Sequence, residues 1–219
     1  MGKSAAFFDI DGTLINGISE SILLKELFLK GKISTIAFLK MCFLFFLFVN
    51  GFPDATGLRT KAAQVLAGWN VSEFARALDD CFGNKLKCRI FPEAVKTIRR
   101  HIRKKDIVVL VSASFSMIAE KYKEYLGADY VIATSLKVKG GKYTGAISGR
   151  ACYGSNKVGM VKDFARRHDV DLKKSHGFAN HATDADFLGI MGHPVAVNPD
   201  KRLLNISKRN GWLIRKFGN

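Results

Sequence analysis

The sequence predicts a doubly wound parallel α/β sheet interrupted by an all-helical insertion, and three observations carry that prediction. From about residue 86 onward, short apolar runs that read as buried strands alternate with amphipathic helical segments. Residues 15–85 show helical spacing and no strand pattern. The first apolar run, Ala5 to Phe8, ends in Asp9-Ile10-Asp11-Gly12-Thr13, polar groups at the strand end where open α/β sheets bind ligands. The 219 residues suffice for one core plus an insert, and 47% hydrophobic content fits a globular chain.

The elements follow in order. Ser19 to Lys30 is helical, with Ile22, Leu23, Leu27 and Phe28 at helix spacing, Ser19 or Ser21 as the expected cap and Gly31 as the stop. Ile33 to Val49 is the most apolar segment. It falls short of the roughly 20 residues of a membrane span and carries Lys40 inside. Three readings stand for it: a buried helix, a dimer contact, or a monotopic helix dipping into an anionic membrane beside Lys25, Lys30, Lys32 and Lys40. Asn50-Gly51-Phe52-Pro53 is a turn, and Gly57 to Leu66 and Val71 to Phe82, with Ser72 as cap, are two further helices.

Pro92 opens the next helix, with Val95, Ile98 and Ile102 directed to the core. Ile107 to Val111 is a buried parallel-type strand closed by Ser112-Ala113-Ser114, and a helix runs from Phe115 to Leu126 before Gly127. A small hydroxyl residue between a strand and a helix N-terminus suits phosphate binding, although such a serine is equally an N-cap. Tyr130 to Thr134 is a strand, and Leu136 to Thr144 a hairpin turning at Gly140-Gly141. Gly154 opens a helix with Lys157 in its first turn, where the helix dipole disfavours a cation; that placement points to a local anionic partner. Ser175 to Ala179 is a short strand leading into Asn180-His181-Ala182-Thr183-Asp184. The tail from Lys201 holds six basic residues and no acidic one, and is expected to form a last helix and strand.

Asp9 and Asp11, two residues apart, face the same side of an extended chain. Neighbouring carboxylates repel unless a cation lies between them or one keeps its proton. A divalent metal meets the first condition, and acid/base chemistry uses the second.

The run Asp9-x-Asp11-Gly12-Thr13-Leu14 after an apolar strand resembles the first motif of the haloacid dehalogenase superfamily of phosphotransferases. Ser112 after its apolar strand resembles the second motif, Lys157 the third, and Asn180 with Asp184 the fourth. Gly192 to Asp200 is similar to the final strand and turn of the subclass containing phosphoserine phosphatase. The resemblance implies a core of residues 1–14 and 86–219 with a helical cap at 15–85, and Mg²⁺-dependent phosphomonoester hydrolysis. Asp9 would be the nucleophile, Asp11 the acid/base, and Ser112 and Lys157 the groups holding the phosphoryl. Gly12, Thr13, Ala113 and Ser114 would be further phosphate-binding positions. Asp9, the backbone carbonyl of Asp11, Asn180 and Asp184 would serve the metal. Asn180 departs from the family's usual aspartate, leaving one charge fewer. The family's phosphoserine enzymes carry a Glu at the position of Ile18, with Glu20 here two residues later, which counts against phosphoserine.

The net charge of +16, from 35 basic and 19 acidic residues, suits phosphorylated substrates or an anionic surface. No compact nucleic-acid motif accompanies it, so no nucleic-acid partner is expected. A lipid-linked or other bulky anionic phosphate is the expected substrate. Peripheral membrane association and a homodimer through the cap are expected as alternatives. A phosphoserine-type metabolite, or a catalytically impaired fold serving as a membrane or nucleic-acid binding module, are the other readings. Cys42, Cys81, Cys88 and Cys152 lack metal-binding spacing, and no leader precedes Asp9; both features suggest reduced thiols and a cytoplasmic location, at the inner face of the membrane if the apolar segment docks there.

Overall fold

Every side chain of β1 (Ala5–Phe8) is buried, because the strand lies in the middle of a seven-stranded sheet. In this computed structural model, residues 2–49 and 55–218 are described, except for the side chains of residues 48, 49, 55 and 56. The turn expected at Asn50 to Pro53 lies outside the described residues. After β1 come α1 (Ser19–Leu29), α2 (Thr35–Val49), α3 (Ala55–Gln64) and α4 (Val71–Cys81). A π-turn and a 3-10 turn over 82–89 return the chain to α5 (Pro92–Arg103) and β2 (Ile107–Phe115). The remainder runs α6 (Ser116–Leu126), β3 (Tyr130–Lys139), β4 (Lys142–Ser148), α7 (Ser155–Arg167), β5 (His176–Ala179), α8 (Ala185–Gly189), β6 (His193–Val197), α9 (Lys201–Arg209) and β7 (Leu213–Arg215).

The strand order is β4-β3-β2-β1-β5-β6-β7, parallel throughout except for the β3–β4 hairpin. Strand order therefore reverses direction at β1, between β2 and β5, and the crevice at its C-terminal end is the binding position such sheets provide. β1 serves two cores by its alternation. Ala6 and Phe8 pack with Ile98 of α5 and Ile118 and Tyr122 of α6, while Ala5 and Phe7 pack with Val161 and Phe164 of α7, Leu188 of α8 and Leu203 of α9.

The helical segment between β1 and β2 rests on the hairpin through backbone hydrogen bonds. Gly68 N donates to Tyr143 O at 2.8 Å, Tyr143 N to Trp69 O at 2.9 Å and Val71 N to Gly141 O at 2.9 Å. Gly192 holds the opposite end of the sheet close: a Cβ there would sit 1.7 Å from the Lys173 carbonyl oxygen.

Several local expectations are corrected. Neither Ser19 nor Ser21 caps α1 by its side chain; Ile18 occupies the cap, and the Ser19 N–H donates to the distant Asp11 carboxylate. Asn70, not Ser72, caps α4, accepting from Ser72 N at 2.9 Å. On α5 the buried positions are Ala94, Ile98 and His101, whereas Ile102 is exposed. The strand ending at Val111 by its apolar run continues through Ser112 to Phe115, with a register shift against β3, and Phe115 caps α6. β3 likewise runs straight on into the hairpin rather than ending at Thr134.

Three imidazoles cluster at the N-terminal edge of the sheet, His193 stacked on His176 and His101 edge-on to it. His176 lies 4.8 Å from His101 and 4.6 Å from His193 between ring centroids, and His101 Nδ1 lies 2.7 Å from Asp106 Oδ2. Burial, then the neighbouring His101 and His193, push His176 down from 6.5 to about 4, with Asp106 opposing them and Lys104 adding to them. The unfolded chain takes up this proton more readily than the folded one, so stability is full above about pH 6.5 and declines as pH falls toward 4. Denaturant titrations across that window are expected to show this slope, and His176→Gln to flatten it. An unchanged slope in the variant would reject His176 as its source.

Candidate active site

The C-terminal end of β1 releases Asp9 into a cavity of about 820 Å³. Its backbone stays tied to the sheet, with Asp9 N donating to Phe178 O of β5 at 2.9 Å. Gly12 then turns the chain with φ of +77°, and a Cβ there would lie 2.2 Å from Asn180 Nδ2. Only glycine permits both the left-handed backbone and that approach.

Lys157, the third residue of α7, reaches the same point from the far side. Its Nζ lies 2.9 Å from Asp9 Oδ1 and 2.8 Å from Asp184 Oδ1. All three side chains are almost fully buried. The cation that the helix dipole disfavours thus has two carboxylates. Thr13 Oγ1 lies 3.0 Å from Asp9 Oδ2 and 3.2 Å from Asn180 Oδ1, joining the first turn to the loop after β5. Burial pushes Asp9 up to about 7 against the pull of Lys157, and Asp184 adds to the rise. Burial also opposes the charge on Lys157, but Asp184 and Asp9 outweigh it and hold the ammonium above its usual range.

Asp11 is held differently. It accepts from Ser19 N at 2.8 Å, Ser19 Oγ at 2.5 Å and Ser114 Oγ at 2.8 Å. Burial raises its pKa, and these hydrogen bonds from Ser19 and Ser114 oppose the rise. Ser112 Oγ accepts from Ser114 N at 3.1 Å, a bond that leaves its own hydroxyl proton for another acceptor. Asp9, Asp11, Gly12, Ser112, Ala113, Ser114, Lys157, Asn180 and Asp184 therefore line one cavity, and Thr13 stands behind Asp9.

Arg59 of α3 and its pairing with Glu20 were not anticipated from the sequence. The guanidinium is buried and donates to Glu20 Oε2 at 2.6 Å, Glu20 Oε1 at 2.8 Å and the Ala113 carbonyl at 2.5 Å. Glu20 also accepts from Phe115 N at 3.0 Å. Glu20 and Arg59 thus stand in the cavity wall beside Ile18, a carboxylate and a guanidinium facing the same space as Asp9 and Asp11. Spacing offers no signal for this pair, since its members lie 39 residues apart on different helices. His181, on the rim, lies 3.3 Å from Asp200 Oδ2.

The donor set is suited to a hard cation. Asp9, Asp184 and Asn180 offer side-chain oxygen, and Asp9, Asp11 and Asp184 against Lys157 make three negative charges to one positive, a net −2 when all are ionised.

Comparison with known proteins identifies relatives of this chain. The profile of the haloacid dehalogenase-like hydrolases matches residues 6–189. A probable phosphatase of Mycobacterium tuberculosis is 30% identical over 98% of this chain and 76% of its own length. A phosphoserine phosphatase of the same organism is 26% identical over 98% of this chain and 71% of its own length. A solved structure of a Bordetella pertussis protein of unknown function superposes with a TM-score of 0.90 at 23% identity, covering 98% of this chain and 99% of the other.

Removing the shared cation leaves like charges buried together. Lys157→Met is expected to lower stability by roughly 3–5 kcal/mol at neutral pH, and to lose less where the carboxylates take protons. Denaturant unfolding at neutral and acidic pH checks this; a neutral-pH stability equal to wild type would contradict it.

Proposed function

Because the chain belongs to the haloacid dehalogenase-like hydrolases, we propose that it hydrolyses phosphomonoesters through a covalent phosphate on Asp9. In this reading residues 1–14 and 86–219 are the catalytic core and residues 15–85 the cap. The observation that carries it is the convergence of Asp9, Asp11, Ser112, Lys157 and Asp184 on one cavity.

An Asp9 carboxylate oxygen attacks phosphorus, and the bond from phosphorus to the ester oxygen breaks. Asp11, lifted by burial, gives its proton to the departing alkoxide. Water then attacks the phosphorus of the aspartyl phosphate, Asp11 takes the proton of that water, and inorganic phosphate leaves with Asp9 restored. Lys157 and the Ser112 hydroxyl hold phosphoryl oxygens, and Lys157 also keeps Asp9 pointed at the phosphorus. Asp9, Asp184, Asn180 and the backbone carbonyl of Asp11 would hold Mg²⁺. When bound, that ion neutralises charge on the phosphoryl oxygens.

The substrate we favour has a bulky leaving group, lipid-linked or otherwise partly apolar. Met41, Leu44, Phe45 and Leu58 supply an apolar wall to a cavity of about 820 Å³. A second reading, a small phosphomonoester bearing ionic groups such as phosphoserine, is favoured by the Glu20–Arg59 pair. Arg59 Nε is buried without a hydrogen-bond partner among the described residues, leaving a donor for such a group.

Phosphate release from p-nitrophenyl phosphate, phosphoserine and lysophosphatidate, with Mg²⁺ and then EDTA, tests the reaction. Turnover is expected only with metal, and Asp9→Asn is expected to reduce it by roughly a thousandfold or more. Full activity in that variant would overturn the covalent route. Asn180→Asp restores a negative ligand and is expected to tighten Mg²⁺ binding on the order of tenfold. Thermal shift against Mg²⁺ concentration reads that change without turnover, and equal affinities would remove Asn180 from the metal site.

A further inference from the structure

Helix α2 turns one face to the catalytic cavity and the other to water. Met41, Leu44 and Phe45 line the cavity. On the outer face Ile36 is 81% exposed, Leu39 60%, Phe43 61% and Phe46 61%. Steps of three, four and three residues put these four on one stripe of the helix. Leu29, at the end of α1, is 65% exposed nearby in the chain. Monomeric proteins seldom leave so much large apolar side chain in water without a partner for it.

The charges select the partner. From Leu27 to Pro53 the chain has no Asp or Glu, but it has Lys30, Lys32 and Lys40. Lys30 pairs with Asp80 of α4, whereas Lys25, Lys32, Lys40 and Lys61 are exposed. A second copy packed stripe against stripe would bring lysines together with no acidic residue on α2 to meet them, which is unfavourable. A surface of lipid phosphates meets both features, taking the apolar side chains below its headgroups and the ammonium groups among them. With 15 residues, α2 is about 22 Å long. Among the described residues no helix is long and apolar enough to cross a bilayer, so α2 fits the plane of the surface rather than a span.

We propose that the outer face of α2 docks the protein onto an anionic lipid bilayer, with Ile36, Leu39 and Phe43 inserted and Lys32 and Lys40 on the headgroups. The docking does not depend on turnover. If the phosphatase reading also holds, the cavity wall formed by the same helix lies at the membrane, within reach of a phosphate carried by a lipid.

Flotation of the full chain with vesicles tests the docking. One set is phosphatidylcholine alone, and the other is phosphatidylcholine doped with phosphatidylglycerol. Wild type is expected to float with the anionic set only. Leu39→Glu/Phe43→Glu and Lys32→Glu/Lys40→Glu are each expected to cut the bound fraction roughly tenfold or more, while melting cooperatively and retaining wild-type behaviour toward soluble p-nitrophenyl phosphate. Wild type that floats with neither set overturns the proposal, as does equal flotation with both or undiminished binding by Leu39→Glu/Phe43→Glu. Sedimentation as a dimer that Leu39→Glu/Phe43→Glu dissociates, with no wild-type flotation, assigns the stripe to a second copy instead. Phosphate release is read separately, so loss of the catalytic reading leaves the docking result intact.

Discussion

The site depends on one ammonium group serving two buried carboxylates. Lys157 stands 148 residues from Asp9 in the chain, yet closes to 2.9 Å. That approach requires β1 to lie between β2 and β5 with α7 packed across it, so that the N-terminal turn of α7 comes down over the strand ends. The ion pair also sets the character of Asp9. The cation that Asp9 shares with Asp184 does not fully offset the desolvation of Asp9, so that carboxylate keeps an appetite for further positive charge. Thr13, Gly12 and Asn180 are placed by the same convergence, since the first turn and the loop after β5 meet there.

The part of this arrangement legible in the sequence was local. Apolar runs marked β1, β2 and β5, and two aspartates at the end of a strand are conspicuous because like charges at that spacing need a reason. Lys157 was legible for a similar reason, as a cation in a first helical turn. What the sequence concealed were contacts between distant segments. Arg59 sits in an ordinary helical stretch, and its meeting with Glu20 and Ala113 depends on how α3 packs against β4 and α2. The missing cap on α1 has the same origin, because Asp11 draws the Ser19 N–H that a local side chain would otherwise have satisfied. His101 took the buried place expected of Ile102 because its Nδ1 pairs with Asp106 inside while the ring packs edge-on against His176.

The apolar stretch at α2 shows where sequence reading left alternatives that structure narrows. A segment apolar on all sides fits several environments. The fold divides it into a face used by the cavity and a face left to solvent. Hydrophobicity that looked like one property thus serves two surfaces, and the neighbouring charges distinguish the outer one.

The Asp11 carboxylate belongs at once to the cavity at the end of β1 and to the seat of α1. Three donors, two of them from Ser19, fix it against the first turn of that helix. Linkage makes this reciprocal: whatever protonates Asp11 weakens its acceptance from Ser19, and whatever lifts α1 from the sheet changes the affinity of Asp11 for its proton. Acidity in the cavity and anchoring of the helical segment are thereby two readings of one equilibrium.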